Sequence, residues 1–240
     1  MQAQPTQTSE GRPRAVTVAL AALLIAWLAF AAHVTFHFGG RAPPHFWRPW
    51  VYDGIIGAAA LLCTVRACVG EERLAWGAIG LSLALTWLGD LYSNNFLHGL
   101  EHRPYPSPTD VAWIASYLPL YAGIILLLRS RLPRLPVSVW LEGIVGGLAF
   151  GSAAAAFVFD PLVASTHGSA AEVITNLANP TCDVLLLAFV TCGFVILGRR
   201  AGRALMLLGV GLGILSVADS LFLWEVAKGT YREGAWLDAS

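Results

Sequence analysis

Residues 74–96 read LAWGAIGLSLALTWLGDLYSNNF, and their single formal charge is Asp90. A bilayer core about 30 Å thick needs about 20 apolar residues at the helical rise of about 1.5 Å each, so this stretch is long enough to cross. Six further stretches have the same character: 15–36, 50–69, 110–128, 137–159, 181–197 and 204–224. The expected fold is therefore all-α, a polytopic membrane bundle of seven transmembrane helices built from helical hairpins. Residues 1–14 are read as a disordered cytoplasmic N-terminus and 15–240 as the membrane-embedded domain. Composition agrees, since 56% of the 240 residues are hydrophobic, 12% are charged and mean hydropathy is +0.63. A water-soluble domain carries about 25% charged residues.

Charge narrows the function classes. Fifteen basic and fifteen acidic residues cancel, which leaves no field to gather nucleic acid, and neither DNA nor RNA is an expected partner. The four cysteines, Cys63, Cys68, Cys182 and Cys192, lie in apolar stretches without a CxxC pair and read as packing residues rather than as a zinc site or disulfide framework. No Walker, HExxH or GxSxG sequence occurs, and no cofactor is expected.

Basic residues set the expected orientation, because Lys and Arg near helix ends are retained on the cytoplasmic side. With the N-terminus inside, Arg12, Arg14, Arg66, Arg73, Arg129, Arg131, Arg134, Arg199, Arg200 and Arg203 are cytoplasmic, against Arg41, Arg48, Arg103, Lys228 and Arg232 outside. The apolar run after Arg14 is longer than a signal-peptide core and is read as a retained anchor in a bacterial plasma membrane. Most tryptophans fall at the two boundaries, where an indole is half buried and its N–H meets polar atoms.

The inward helices share a layout in which Asp53 leads to Arg66, Asp110 to Arg129 and Asp183 to Arg199. Gly89-Asp90-Leu91-Tyr92 likewise matches Ala218-Asp219-Ser220-Leu221-Phe222 in the outward helices. Because Asp90 precedes Asp110 by nearly the interval that separates Asp219 from Asp238, Trp236-Leu237-Asp238 reads as the start of an eighth helix. The chain is thus expected to be a piece of a longer protein that continues into the cytoplasm.

Acids at membrane depth cost several kcal/mol unless paired or hydrated, so they are the first candidates for function. Asp53, Asp110 and Asp183 stand where helices are expected to begin and are read chiefly as caps, and Glu142 near the start of its helix takes the same structural role. Asp90 and Asp219 lie late in their helices, where the dipole disfavours an anion. With Asn94, Asn95 and Asp183 they form the candidate polar site, either lining a small hydrated cavity for an unknown small ligand or bonding helices together. A pairing of Asp90 with Asp219 would suit an intramembrane enzyme.

Other features carry less. His33, His37 and His45, and the spaced pair His98 and His102, allow a metal or pH-sensing role, but no carboxylate partner is fixed by sequence. The glycines of 143–151 read as a packing face. Residues 160–179 read as the longest outer connection, whose amphipathic run from Ala170 to Leu177 either lies on the membrane surface as a short helix or closes over the polar rim as a lid, with a plain connector preferred.

Several short motifs recur in order: Gly89-Asp90-Leu91-Tyr92, Pro106-Ser107-Pro108-Thr109-Asp110, Tyr117-Leu118-Pro119-Leu120-Tyr121-Ala122-Gly123, Trp140-Leu141-Glu142-Gly143, Phe159-Asp160-Pro161 and Val217-Ala218-Asp219-Ser220. In these the chain resembles the N-terminal multi-spanning regions of bacterial, especially actinobacterial, signalling proteins that precede diguanylate cyclase (GGDEF) and phosphodiesterase (EAL) domains. It departs from them at Glu142 and at Cys182-Asp183, where an aspartate and a Gly-Asp pair are usual. The resemblance implies a sensory or anchoring input module, with a cytoplasmic cyclic di-GMP output domain in the same longer chain and a possible homodimer. A small transporter or channel is the alternative from residues alone. The covered sequence has no catalytic domain of its own.

Overall fold

The computed structural model describes residues 11–36, 47–69, 72–97, 100, 104–131, 169–197 and 202–227, with scattered helical positions between 137 and 156. Among the described residues there is helix and no strand. We number six helices: α1 Gly11–Phe36, α2 Asp53–Val69, α3 Arg73–Tyr92, α4 Pro108–Arg131, α5 Ala170–Leu197 and α6 Gly202–Ala227. A π-helical turn, Trp47–Tyr52, leads into α2, and another, Ser93–Leu97, extends α3.

Four segments are long and apolar enough to cross a membrane: Trp50–Val69, Arg73–Leu97, Pro108–Ser130 and Ala170–Phe194. They correspond to four of the seven stretches read from sequence, whereas α1 and α6 carry shorter apolar cores, Val18–His33 and Met206–Asp219. The stretch 137–159, with Glu142, lies largely outside the described residues, as do residues 1–10, 37–46, 101–103 and 228–240. His37, His45, His98, His102 and the expected eighth-helix start fall in such gaps. Helix α1 begins at Gly11, four residues before the span drawn from Ala15. Pro13 fits there because a first-turn N–H has no helical acceptor to lose.

The helices pack in chain order: α1 meets α2, α3 lies against both α2 and α4, and α5 meets α4 and α6. Ile124 and Leu128 of α4, Leu186 and Val190 of α5 and Leu212 of α6 form one buried layer; Ala75 and Ile79 of α3 with Leu127 form another. Many large apolar side chains point outward instead, including Leu74, Val111 and Leu118, each at least two-thirds exposed. Apolar groups turned out and polar ones turned in is the arrangement lipid favours and water does not.

The starts of α4 and α5 are fixed by one device. The Ser169 N–H donates to Glu172 Oε2 at 3.2 Å while the Glu172 N–H donates to Ser169 Oγ at 3.4 Å, a reciprocal capping box. At α4 the Ser107 N–H and hydroxyl both donate to Asp110 Oδ2 at 2.7 Å, tying the third residue of the helix back to its cap. The α5 box overturns the reading of 170–177 as a separate surface segment. Ala170 to Leu197 is a single helix of 28 residues, and Pro180 lies inside it. Ser169→Ala is accordingly expected to destabilise the protein by about 0.5–2 kcal/mol, with faster amide exchange confined to the first turn of α5 as the check.

At the opposite ends of these helices, where α3 begins and α4 finishes, Glu72 joins two elements. Its carboxylate accepts from Trp76 Nε1 at 3.2 Å and from the Ser130 hydroxyl at 2.9 Å, and the Arg66 guanidinium lies 5.7 Å from the Trp76 ring centre.

Candidate functional site

The polar residues singled out from sequence separate into two sets, divided by α4. In the first, the Asn94 amide donates to Asp53 Oδ2 at 2.9 Å, closing the α2–α3 hairpin. Asp53 is only 2% exposed. It begins α2 as expected, but its carboxylate reaches across to a neighbouring element. Asp90 stands one turn before Asn94, and its Oδ1 accepts from Trp113 Nε1 at 3.1 Å. Gly89 makes that contact possible: a Cβ there would lie 2.9 Å from the Trp113 ring, closer than real side-chain carbons approach. Asp90 thus serves α3–α4 packing.

The second set joins three helices. Asp183 of α5 accepts from the Tyr117 hydroxyl of α4 at 2.6 Å, and the carboxyl of Asp219 of α6 stands beside Asp183. One turn along α4, the Tyr121 hydroxyl donates to the Cys182 carbonyl at 2.6 Å. Both tyrosines rest on the buried apolar layer of α4, α5 and α6, and the Tyr121 ring meets Phe189 edge-on. Apolar packing therefore fixes the rings, and the rings place their hydroxyls on α5.

Asp183 is not a helix cap. It lies thirteen residues after Ala170 and fourteen before Leu197, or about 20 Å from the start of α5. Its partner is Asp219, whereas Asp90, the partner that an intramembrane enzyme would need, is not among the groups acting on Asp219. Tyr117, unnoticed as a site residue in the sequence, is the third member. Its signal was the pair Tyr117 and Tyr121, one turn apart and flanking Pro119.

Two ionised carboxylates cannot hydrogen-bond to each other, because neither has a hydrogen to give. At about 4 Å and an effective dielectric near 20 they would repel by about 4 kcal/mol. A proton shared between them would remove that repulsion and leave one negative charge beside the Tyr117 hydroxyl, which donates to Asp183. This is the arrangement by which paired carboxyl groups hold a proton. Asp183 is 2% exposed, and its Oδ2 meets no N–H or hydroxyl donor among the described residues.

Both helices that carry the tyrosine contacts contain a proline near this level. Pro119 in α4 and Pro180 in α5 lack an N–H, so the carbonyls of Ala115 and Asn176 lose their helical donors. On α5, Thr175, Asn179 and Asp183 recur every four residues along one face. Thr175 is buried, and Asn179 Oδ1 is buried without a donor among the described residues. A polar line therefore runs from the start of α5 down to the acid pair.

Among the described residues no group of three or more His, Cys, Asp or Glu is placed to hold a metal ion. The described cysteines are free thiols. Tyr105, in the turn before α4, lies outside the spans. Burial, then the nearby Asp110 and Glu172 carboxylates, push its hydroxyl above the usual phenol range, so it stays protonated as a donor. Comparison with family models, curated proteins and solved structures finds no match for this chain.

Proposed function

We propose that the chain is the membrane-embedded input region of a bacterial signalling protein, seated in the plasma membrane with its N-terminus and arginine-rich connections in the cytoplasm. It controls a cytoplasmic output domain of cyclic di-GMP turnover in the same longer chain. The observation that carries this reading is the Tyr117–Asp183–Asp219 junction. A polar site shared by three helices and screened from lipid changes helix packing whenever its occupancy changes. Packing is the variable through which a membrane bundle acts on a domain attached to it. Two of the motifs behind the family resemblance, those around Tyr117 and Asp219, supply members of this junction.

The test is the full reading frame expressed with and without Asp219→Asn, followed by cyclic di-GMP measurement at matched membrane levels. A coupling of ordinary size predicts a change of about 5-fold or more. Unchanged output across external conditions removes the sensor reading. Solute uptake into vesicles that depends on Asp219 would establish the transporter in its place.

A further inference from the structure

We infer that Asp183, Asp219 and Tyr117 form a binding site for one exchangeable proton, and that this proton holds α6 against α4 and α5. The inference rests on the input-region reading and names its stimulus as the proton itself.

Asp219 stands beside the buried Asp183, and two carboxyl groups so placed avoid their mutual repulsion by holding one proton between them. Asp183 is buried, with Oδ1 given to Tyr117 and Oδ2 facing no protein N–H or hydroxyl among the described residues. An acid proton is the ligand that such an oxygen accepts. The titratable groups that face the pair are Tyr117 and Tyr121 from α4 and the Cys182 thiol from α5. Among the described residues no lysine, arginine or histidine acts on either acid.

The other hairpin offers an internal comparison. Between α2 and α3 the buried Asp53 is answered by the Asn94 amide, which donates at every pH. Between α5 and α6 the buried Asp183 is answered by a second acid, which donates only while protonated. One closure is permanent and the other is conditional. When the proton leaves, Asp219 becomes a carboxylate, water takes the proton as hydronium, and two anions face each other without a donor between them. Thr175 and Asn179 continue the polar face of Asp183 along α5, and Pro119 and Pro180 leave α4 and α5 each one backbone hydrogen bond short near the pair.

The test uses the full chain in lipid nanodiscs and follows the infrared carbonyl band of protonated carboxyl groups as pH is raised. Wild-type protein is expected to show a band equivalent to one carboxyl that shifts in heavy water and disappears in a single step. In Asp183→Asn and Asp219→Asn the remaining acid has no anionic partner with which to share its proton, so its part of the band should disappear at a lower pH than in wild type. Spin labels at the lipid-facing positions Leu118 on α4 and Val217 on α6, with the native cysteines replaced by serine, report the packing change. Their separation should change at the same midpoint in wild type and stay at its low-pH value in Asp219→Asn.

Tyr117→Phe retains both acids. It should keep a titrating band at an altered frequency, which provides a second test should the Asn variants fold poorly. A band that ignores pH, a band that titrates with the wild-type midpoint in Asp219→Asn, or a label separation that never moves overturns the inference. Output that responds to Asp219→Asn without a titrating band keeps the input-region reading and removes the proton as its stimulus. A titrating band with label movement but no output response does the reverse.

Discussion

Asp183→Ala should be the most damaging single substitution in the α4–α6 half of the bundle, lowering stability by about 3–5 kcal/mol. Three losses coincide in it. The half-buried Asp219 carboxyl loses its neighbour, the Tyr117 hydroxyl loses its acceptor, and a void opens beside the apolar layer of Ile124, Leu186 and Leu212. Truncation is worse than replacement because the desolvation of the orphaned groups is no longer offset. Asp183→Asn keeps the volume, an acceptor for Tyr117 and a donor for Asp219, so its cost should fall below about 2 kcal/mol. Tyr117→Phe removes one hydroxyl and should cost about 0.5–1.5 kcal/mol. Denaturant unfolding of the purified protein in detergent, followed by tryptophan fluorescence, gives the order. If Asp183→Ala cost no more than Tyr117→Phe, the two acids would not share a buried site.

The helical architecture was legible because lipid imposes a length that a sequence must spell out in apolar residues. The positions of Asp90 and Asp219 late in their helices marked them as residues that capping could not explain. Partnership was not legible. Whether Asp219 meets Asp90 or Asp183 depends on which helices abut, and α4 separates the α2–α3 acids from the α5–α6 acids. The misplaced start of α5 has a specific cause. The span was drawn from Thr181, just after a proline, yet Ser169-Ala170-Ala171-Glu172 carries the serine-to-glutamate spacing of a capping box eleven residues before Pro180. Weighing that spacing would have moved Asp183 from the rim to the middle of a helix. Tyr117 was hidden for another reason: a tyrosine in an apolar run reads as packing until a neighbouring helix supplies an acceptor for its hydroxyl.

Gly123→Ala is expected to destabilise the bundle by about 1–3 kcal/mol, although in an isolated helix the same change would stabilise. A Cβ at this position would stand 2.7 Å from Ile79 Cγ1, 3.0 Å from the Ala75 carbonyl oxygen and 3.2 Å from the Ile79 nitrogen. Ile79 can turn its side chain aside, but the two main-chain atoms belong to the body of α3 and move only if the helix moves. Gly211 in α6 is the matched control, since nothing lies within 4 Å of a Cβ built there. Gly211→Ala should therefore gain about 0.5–1 kcal/mol from reduced chain freedom in the unfolded state. Opposite signs in thermal melts of the two variants would establish that α3 and α4 touch backbone to backbone at Gly123; equal gains would place the helices further apart. The effect should also reach the acid pair. Gly123 lies two residues beyond Tyr121, so an α4 pushed away from α3 carries the Tyr121 hydroxyl relative to the Cys182 carbonyl and the Tyr117 hydroxyl relative to Asp183. Close packing on one side of α4 is thus what holds the two tyrosines in register with α5 on the other.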